Sequence, residues 1–358
     1  MSEHRCKMKK FIECTLPVRT CNLRCEYCYV TQNIWWDAKK PELDNCIKHI
    51  GEALSEKRMG GICMVNICAQ GETLLYPEII DIVKRILECG HFIMLVSNAI
   101  LTERINQFAN FPKEMKSRLF FKCSFHYLEL MKQNKLETFF SNINIMKKAG
   151  LSFTVEITPD DSYIHYIPEI KRVCMENVGA LCHVTVPRDE RLEGFPLMTK
   201  LPRSEFVETW KGFDSDLFSF KESIFEVKRK EFCYAGQWGL VLNLVTGEYK
   251  QCYRGKVLGN IYDEMDKPLK MYPIGHNCPE GHCFNGHAFL GFGLIPELQT
   301  VTFATMRNRK LEDGSMWLSK EMEDFMCCKL SDTNEELNLV KKKLADIKSF
   351  QYKKKWKK

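Results

Sequence analysis

The sequence predicts an α/β protein whose core is a partial barrel of six parallel strands. Over residues 11–186, short apolar runs typical of buried strands alternate with longer amphipathic segments typical of helices. Such alternation favours parallel strands joined by right-handed helical crossovers. Six strands fit a partial (β/α)6 barrel better than a complete eight-stranded one, and a doubly wound open sheet is the alternative.

The predicted strands are short, apolar and rich in β-branched or aromatic residues, and they cover residues 11–18, 62–68, 92–97, 119–126, 151–158 and 181–186. The predicted helices carry apolar residues on one face, and most of them end at a glycine; they cover residues 41–59, 77–89, 102–110, 128–149 and 163–178. In either architecture, functional groups gather at the carboxyl ends of the strands.

The second half of the chain has a different pattern. Residues 203–230 are predicted to be helical and charged, whereas residues 231–300 are rich in Gly, Cys and His. Thr246-Gly247 lies between two apolar-rich runs and predicts a tight hairpin turn. Residues 333–350 predict a surface helix that leads into a lysine-rich tail.

Composition excludes several classes of protein. The chain has 358 residues, 45% hydrophobic and 27% charged, as expected of a globular protein. It shows neither a secretory signal nor an apolar run long enough to span a membrane, so a cytoplasmic protein with no membrane partner is expected. Eighteen cysteines in such a chain favour metal or cluster ligation over a disulfide framework.

The net charge of +6 is concentrated at the end, where five of the last six residues are lysine. A solvated tail is the simpler interpretation of this run, so a nucleic-acid partner is not expected.

The first group of cysteines has an informative spacing. Cys21, Cys25 and Cys28 follow the first predicted strand in a C-x3-C-x2-C pattern, within TCNLRCEYCYV. Three close thiolates suit an iron–sulfur cluster or zinc, but structural zinc sites use C-x2-C pairs and four ligands. Three ligands without a nearby fourth would leave one iron of a [4Fe–4S] cluster open to a small molecule.

This loop, with Tyr27 just before its last cysteine, resembles the signature of the radical SAM superfamily. The resemblance implies that the amino and carboxylate groups of S-adenosyl-L-methionine chelate the open iron. It also implies that an electron from the cluster breaks the sulfonium bond, and that the resulting 5′-deoxyadenosyl radical abstracts hydrogen from a substrate. An electron donor of the flavodoxin or ferredoxin type is implied as a partner.

Supporting positions follow the next two strands. Gly71 and Glu72, in AQGETLL, resemble the Gly-Gly-Glu motif of that family, whose backbone meets the methionyl ammonium; Gln70 replaces the first glycine. Ser97 and Asn98 are similar to family residues near the ribose and carboxylate, although a turn cap is an equal alternative.

Further polar residues lie near the later strand ends. Ser124 and Arg188 are predicted to contact the cofactor, and together with their neighbours they would line a substrate pocket. The candidates for a general base or a hydrogen donor are Glu156, Asp160, His126 and Tyr234.

A second set of cysteines comes later. Cys233, Gly247 and Cys252 follow the pattern C-x13-G-x4-C, which resembles the opening of the SPASM and twitch extensions of radical SAM enzymes. With Cys278 and Cys283, the resemblance implies a twitch-like domain that holds one auxiliary [4Fe–4S] cluster.

The spacing of the last two cysteines is wider than usual, and three histidines lie close to them in sequence. A zinc site is therefore the alternative there; the histidines are His276, His282 and His287.

The resemblance implies three segments: a radical SAM core over residues 1–215, a SPASM/twitch-like domain over 216–300, and a helical segment with the basic tail over 301–358. The expected enzyme oxidises a peptide or protein side chain through the auxiliary cluster. Since the core begins about ten residues into the chain, a leader-binding domain ahead of it is not expected. A dehydrogenase that modifies small molecules or carbohydrates is the first alternative, and a zinc-binding protein that contacts nucleic acid is the second.

Overall fold

The computed structural model describes residues 7–353, and the side chains of residues 7–349. Within that part of the chain, nine strands form one sheet. Their bounds are β1 Met8–Leu16, β2 Ile62–Ala69, β3 Phe92–Ser97, β4 Leu119–Ser124, β5 Ser152–Ile157, β6 His183–Val184, β7 Gly239–Asn243, β8 Glu248–Lys250 and β9 Val257–Asn260. The order across the sheet is β6-β5-β4-β3-β2-β1-β7-β8-β9.

Helices follow most of the strands. The α-helices are α1 Tyr29–Gln32, α2 Asp44–Ala53, α3 Glu56–Met59, α4 Ile79–Glu88, α5 Thr102–Ala109, α6 Lys113–Lys116, α7 Tyr127–Lys132, α8 Leu136–Ala149, α9 Ile167–Val178, α10 Arg203–Lys211, α11 Asp216–Ile224, α12 Gly286–Phe289, α13 Lys320–Cys327 and α14 Leu339–Lys353. Two 3₁₀ helices cover Asp161–Tyr166 and Leu330–Asp332.

The predicted α/β architecture is confirmed. Strands β1 to β6 are parallel and lie side by side in chain order, as successive crossovers of one hand require. Beyond the prediction, β7 pairs in parallel with the other edge of β1, and β8 and β9 extend the sheet antiparallel. The predicted hairpin turn joins β7 to β8, with Gly247 at φ 76°.

Some predicted helices are shorter or divided. The segment predicted at 128–149 forms α7 and α8, because Asn134 between them adopts φ 54° and interrupts the helical path. The segment predicted at 41–59 forms α2 and α3. The segment predicted at 163–178 forms a 3₁₀ helix and α9, and Pro168 occupies the first turn of α9, where its missing N–H costs nothing.

The sheet is buried on both faces. On β1, Ile12 and Cys14 point to the outer face, where the crossover helices cover them, whereas Phe11 and Glu13 point into the barrel. This double burial explains the nearly continuous apolar runs in the sequence.

The later part of the chain fills the amino-terminal half of the barrel interior. Phe11 on β1 packs against Phe289 and Phe292, with ring centroids 5.7 and 5.0 Å apart. On β3, Phe92 stacks on Phe325 of α13 at 3.7 Å. Only the carboxyl-terminal half of the interior is therefore left for polar side chains.

None of the helices within residues 7–353 combines the length and apolar character needed to cross a bilayer. The lysine-rich tail falls mostly on residues 354–358, which lie outside the described part.

The stack between β3 and α13 offers a test of this packing. Replacing Phe325 with alanine should lower the free energy of unfolding by about 3–5 kcal/mol, because the buried ring leaves a cavity against Phe92. Leu339→Ala, at a side chain that is 79% exposed, should change it by less than about 0.5 kcal/mol. Urea unfolding of both variants measures the difference, and equal stabilities would contradict this packing.

Candidate active site

The three cysteines of the first set lie in one loop between β1 and α1. The thiols of Cys21, Cys25 and Cys28 lie close together, because Cys28 raises the pKa of Cys21, and both of them raise the pKa of Cys25. None of the three forms a disulfide. The Leu23 N–H donates to the Cys21 sulfur at 3.4 Å, and the Cys28 N–H donates to the Cys25 carbonyl at 3.2 Å. The loop thus folds back on itself and gathers its thiols.

Burial makes thiolates costly in this loop. Burial first, and then the Glu72 carboxylate, raise the pKa of Cys21 to about 12. Burial and the neighbouring thiols also raise the pKa of Cys25. A thiolate here needs a nearby positive charge, as bound metal supplies. The donor set therefore fits an iron–sulfur cluster.

Ligand spacing differs between a cluster and a single metal ion. Thiolates on one zinc ion lie about 3.8 Å apart, because tetrahedral Zn–S bonds are about 2.3 Å long. Among the described residues, no three His, Cys, Asp or Glu side chains converge as ligands of one ion would. In a [4Fe–4S] cluster each cysteine binds a different iron, so its thiols surround a larger space.

The end of β2 approaches the thiol loop very closely. The Gly71 N–H donates to the Val18 carbonyl at 2.6 Å, and the Glu72 N–H donates to the Thr20 carbonyl at 3.0 Å. A Cβ atom on Gly71 would lie 2.1 Å from the Thr20 oxygen. Only glycine therefore fits at position 71, which lies against Thr20, the residue directly before Cys21.

The Glu72 carboxylate joins the ends of β2 and β3. It is buried and accepts hydrogen bonds from the Ser97 hydroxyl at 2.7 Å, the Asn98 N–H at 2.9 Å and the Leu74 N–H at 2.9 Å. Burial raises its pKa, and these bonds oppose the shift. Glu72 and Ser97 thus hold each other, while the Asn98 amide reaches the loop, 3.7 Å from the Cys21 sulfur.

Tyr27 and His126 meet beside Cys25. The Tyr27 hydroxyl lies 2.6 Å from His126 Nδ1, accepts from Tyr163 at 3.2 Å, and hydrogen-bonds the Cys25 thiol. Burial lowers the pKa of His126 to about 4, so its imidazole is neutral at pH 7. This group closes one side of the thiol loop and supports Cys25.

Polar side chains occupy the carboxyl-terminal half of the barrel interior. The Lys122 ammonium lies 3.2 Å from Glu156 Oε2, and the buried Arg307 guanidinium contacts the other oxygen of Glu156. Lys122 lies on a central strand and yet exposes 20% of its side chain, so it faces an internal space. Burial and then Arg307 lower the pKa of Lys122 to about 8. Ser124 borders this space at the end of β4.

Glu13, on β1, lies opposite Lys122 and Glu156. Its carboxylate accepts from the Asn66 amide at 2.6 Å and from the Asn285 amide at 2.8 Å, and the Tyr253 hydroxyl also bonds to it. Burial raises the pKa of Glu13 despite these donors. Two of the donors come from the later part of the chain, which therefore completes the interior.

The four cysteines of the second set gather at the edge of this interior. They are Cys233, Cys252, Cys278 and Cys283. The pKa of Cys233 is raised by burial first and then by the other three thiols, which therefore lie close to it. Burial also raises the pKa of Cys252 and of Cys283 to about 12. The donor set again fits a metal cluster.

This second set reaches the interior through its sequence neighbours. Tyr253, next to Cys252, bonds to Glu13, and Asn285, two residues after Cys283, does the same. The Arg188 guanidinium, from the loop after β6, donates to the Phe284 carbonyl at 2.8 Å.

Comparisons with known proteins agree with this geometry. Residues 15–159, which include the end of β1, the first thiol set and strands β2 to β5, match the pattern that defines the radical SAM superfamily. This segment is a radical SAM domain. A radical SAM domain implies a [4Fe–4S] cluster and S-adenosylmethionine as cofactors. No match was found among curated protein sequences.

A solved structure shares the fold. The structure titled as anSMEcpe with bound AdoMet is 14% identical, with 71% of this chain and 79% of that chain covered and a TM-score of 0.52. SuiB of Streptococcus suis bound to S-adenosylmethionine is 15% identical, with 72% and 65% covered and a TM-score of 0.49. The chain thus spans less than two thirds of the SuiB chain.

Two predicted residues are held in structural contacts. The Asp160 carboxylate accepts from the Ser162 N–H at 3.0 Å and caps a 3₁₀ helix. Tyr234 stacks on Trp238 at 3.7 Å in the apolar filling, and its hydroxyl accepts from the Leu337 N–H at 2.9 Å. Both contacts are structural, so neither residue enters the proposed function.

Sequence reasoning missed several residues of the radical SAM interior, namely Glu13, Asn66, Lys122, Tyr253 and Arg307. A signal existed for three of them, because Glu13, Asn66 and Lys122 interrupt apolar strands. Arg307 and Tyr253 reach the site only through tertiary packing.

The close approach at Gly71 gives a test of the site. Gly71→Ala should slow cleavage of S-adenosylmethionine under dithionite by about 100-fold, because the new Cβ displaces the backbone beside Cys21. Gly51→Ala is the matched control, since its Cβ on α2 meets only ordinary contacts of 3.8 Å or more. Release of 5′-deoxyadenosine measures both, and an unimpaired Gly71 variant would contradict the geometry.

Proposed function

We propose that this enzyme oxidises a peptide or protein side chain, with the second thiol set holding an auxiliary [4Fe–4S] cluster. The observation that carries the proposal is that both thiol sets border one polar interior. Glu13 lies in that interior and bonds to Tyr253 and Asn285, the sequence neighbours of the second set. Lys122 and Glu156 line the same space.

The first thiol set would hold the cluster that meets S-adenosylmethionine. That cluster and its bound sulfonium supply a carbon-centred radical able to take hydrogen from an unactivated position. The chain's own part is to leave one side of the loop open to the cofactor. Asn98 and the backbone near Gly71 border that side, and Ser124 and Arg188 are proposed as further contacts.

Oxidation of a substrate radical releases one electron and one proton. Cys233, Cys252, Cys278 and Cys283 would hold all four irons of an auxiliary cluster, which would supply an acceptor for that electron. Glu13 is proposed to take the proton, because burial raises its pKa and makes it a better base than an ordinary carboxylate. Tyr253, 43% exposed although it bonds to Glu13, lies between that carboxylate and the open space.

A surface segment beside the thiol loop suits an electron-donating partner. Ile34 and Trp35 follow α1 and are 85% and 43% exposed. The Arg24 guanidinium lies 4.2 Å from the Trp36 ring, and Arg19 lies over Trp35. A basic and aromatic surface complements an acidic redox protein of the flavodoxin or ferredoxin type. We place the reaction in the cytoplasm, where such donors operate.

Iron content tests the two clusters. After anaerobic reconstitution the wild type should hold about eight irons per chain, and variants with alanine at either complete thiol set should hold about four. The two variants remove three and four thiols, so each controls for the general effect of losing one set. Only the variant that keeps Cys21, Cys25 and Cys28 should still release 5′-deoxyadenosine.

Other outcomes separate the parts of the proposal. About four irons in the wild type, with none lost on replacing the second set, would remove the auxiliary cluster and with it the oxidation. Zinc in place of iron at the second set would also remove the auxiliary cluster and the oxidation. Zinc at both sets would contradict the radical chemistry as well.

A further inference from the structure

A small basic pocket lies where the barrel meets the segment that carries the second thiol set. Its walls include Arg188 after β6, Lys221 on α11, and His282 and His287 around α12. Lys122 adds to its charge, since it acts electrostatically on both Lys221 and His287. The pocket therefore lies near Lys122 and the interior that Lys122 lines.

Lys221 is the least compensated cation of this group. Its ammonium donates to the Thr185 hydroxyl at 2.5 Å, and within residues 7–349 no carboxylate pairs with it. Burial first, and then Arg188 and Lys122, hold its pKa well below the usual range. A buried ammonium without a counter-charge is costly, and a bound anion would remove that cost.

Two imidazole nitrogens in the pocket are also unsatisfied. Nδ1 of His287 and Nε2 of His282 are buried without a hydrogen-bond partner in the described structure. Buried polar groups normally have partners, so each such nitrogen calls for a ligand. A neutral imidazole can donate from either nitrogen, depending on its tautomer.

The charged side chains of the lining indicate the class of that ligand. They are Arg188 and Lys221, and Arg188 is paired with Glu190. Lys221 is then left without a carboxylate partner among the described residues, and one carboxylate group of a ligand would match it.

We propose that this pocket binds a carboxylate of the substrate, with Lys221 as its charge partner and His287 and His282 as further donors. The inference rests on the proposed function in taking the substrate to be a peptide. The carboxylate is then an acidic side chain or the chain's carboxyl terminus. Binding it here fixes the substrate at one end, so that hydrogen abstraction occurs at a defined distance from the carboxylate.

Bromide serves as a probe of the pocket. Crystals of the anaerobically reconstituted protein soaked in bromide should show an anomalous peak in contact with Lys221 Nζ. Lys221→Met should lose that peak, and Lys221→Gln provides a second neutral variant in case the first does not fold. Lys211→Met, at an exposed lysine paired with Glu208, is the matched control and should keep it.

Peptide binding in solution then identifies the source of the carboxylate. A blocked tripeptide with a central glutamate, its glutamine counterpart, and a tripeptide with a free carboxyl terminus are compared by calorimetry. At least one carboxylate peptide should bind about tenfold more tightly than the glutamine peptide, and Lys221→Met should abolish the preference. The stronger of the two carboxylate peptides shows which source is used.

Several results would overturn the inference. A bromide peak that persists in Lys221→Met would be an adventitious ion only, and no peak at all would leave the pocket without an anion site. Equal binding of the three peptides would exclude a carboxylate. A carboxylate of S-adenosylmethionine found against Lys221 would assign the pocket to the cofactor. These measurements involve no turnover, so their failure is distinct from failure of the proposed oxidation.

Discussion

The site depends on one junction, at which the ends of β1, β2 and β3 are tied together. The Glu72 carboxylate accepts from Ser97 and from the Asn98 N–H, which fixes β2 to β3. Gly71 lets the same segment run against Thr20, directly before the thiol loop. Since the loop has no regular hydrogen bonding of its own, this junction sets where its thiols lie.

A second constraint is that the barrel is plugged from its amino-terminal side. Phe289 and Phe292 pack on Phe11, so the later part of the chain fills that half with apolar rings. The polar groups are thereby confined to the half near the thiols, where isolated charges would be costly. Most are paired, as Glu156 is with Lys122. Paired groups keep fixed positions, and fixed dipoles favour catalysis because they need little reorganisation.

Local signals in the sequence accounted for much of this arrangement. The alternation of strands and helices predicted β1 to β6, and the spacing of Cys21, Cys25 and Cys28 predicted the thiol loop, because both depend on near neighbours in the chain. The docking of β7 on β1 was not predictable, since it depends on side-chain fit over more than 200 residues of separation. The same holds for Arg307, which meets Glu156 only after the later part of the chain packs against the sheet. The left-handed backbone conformation of Asn134 divides a predicted helix, and the spacing of apolar residues in the sequence gives no sign of it.

The central claim is that the three-cysteine loop leaves one iron of its cluster open to S-adenosylmethionine. Electron paramagnetic resonance of the dithionite-reduced protein tests it most directly, in a variant whose second thiol set is replaced by serine so that one cluster is observed. The account predicts that adding S-adenosylmethionine shifts the g-values of this cluster. A cluster signal that S-adenosylmethionine leaves unchanged would contradict it.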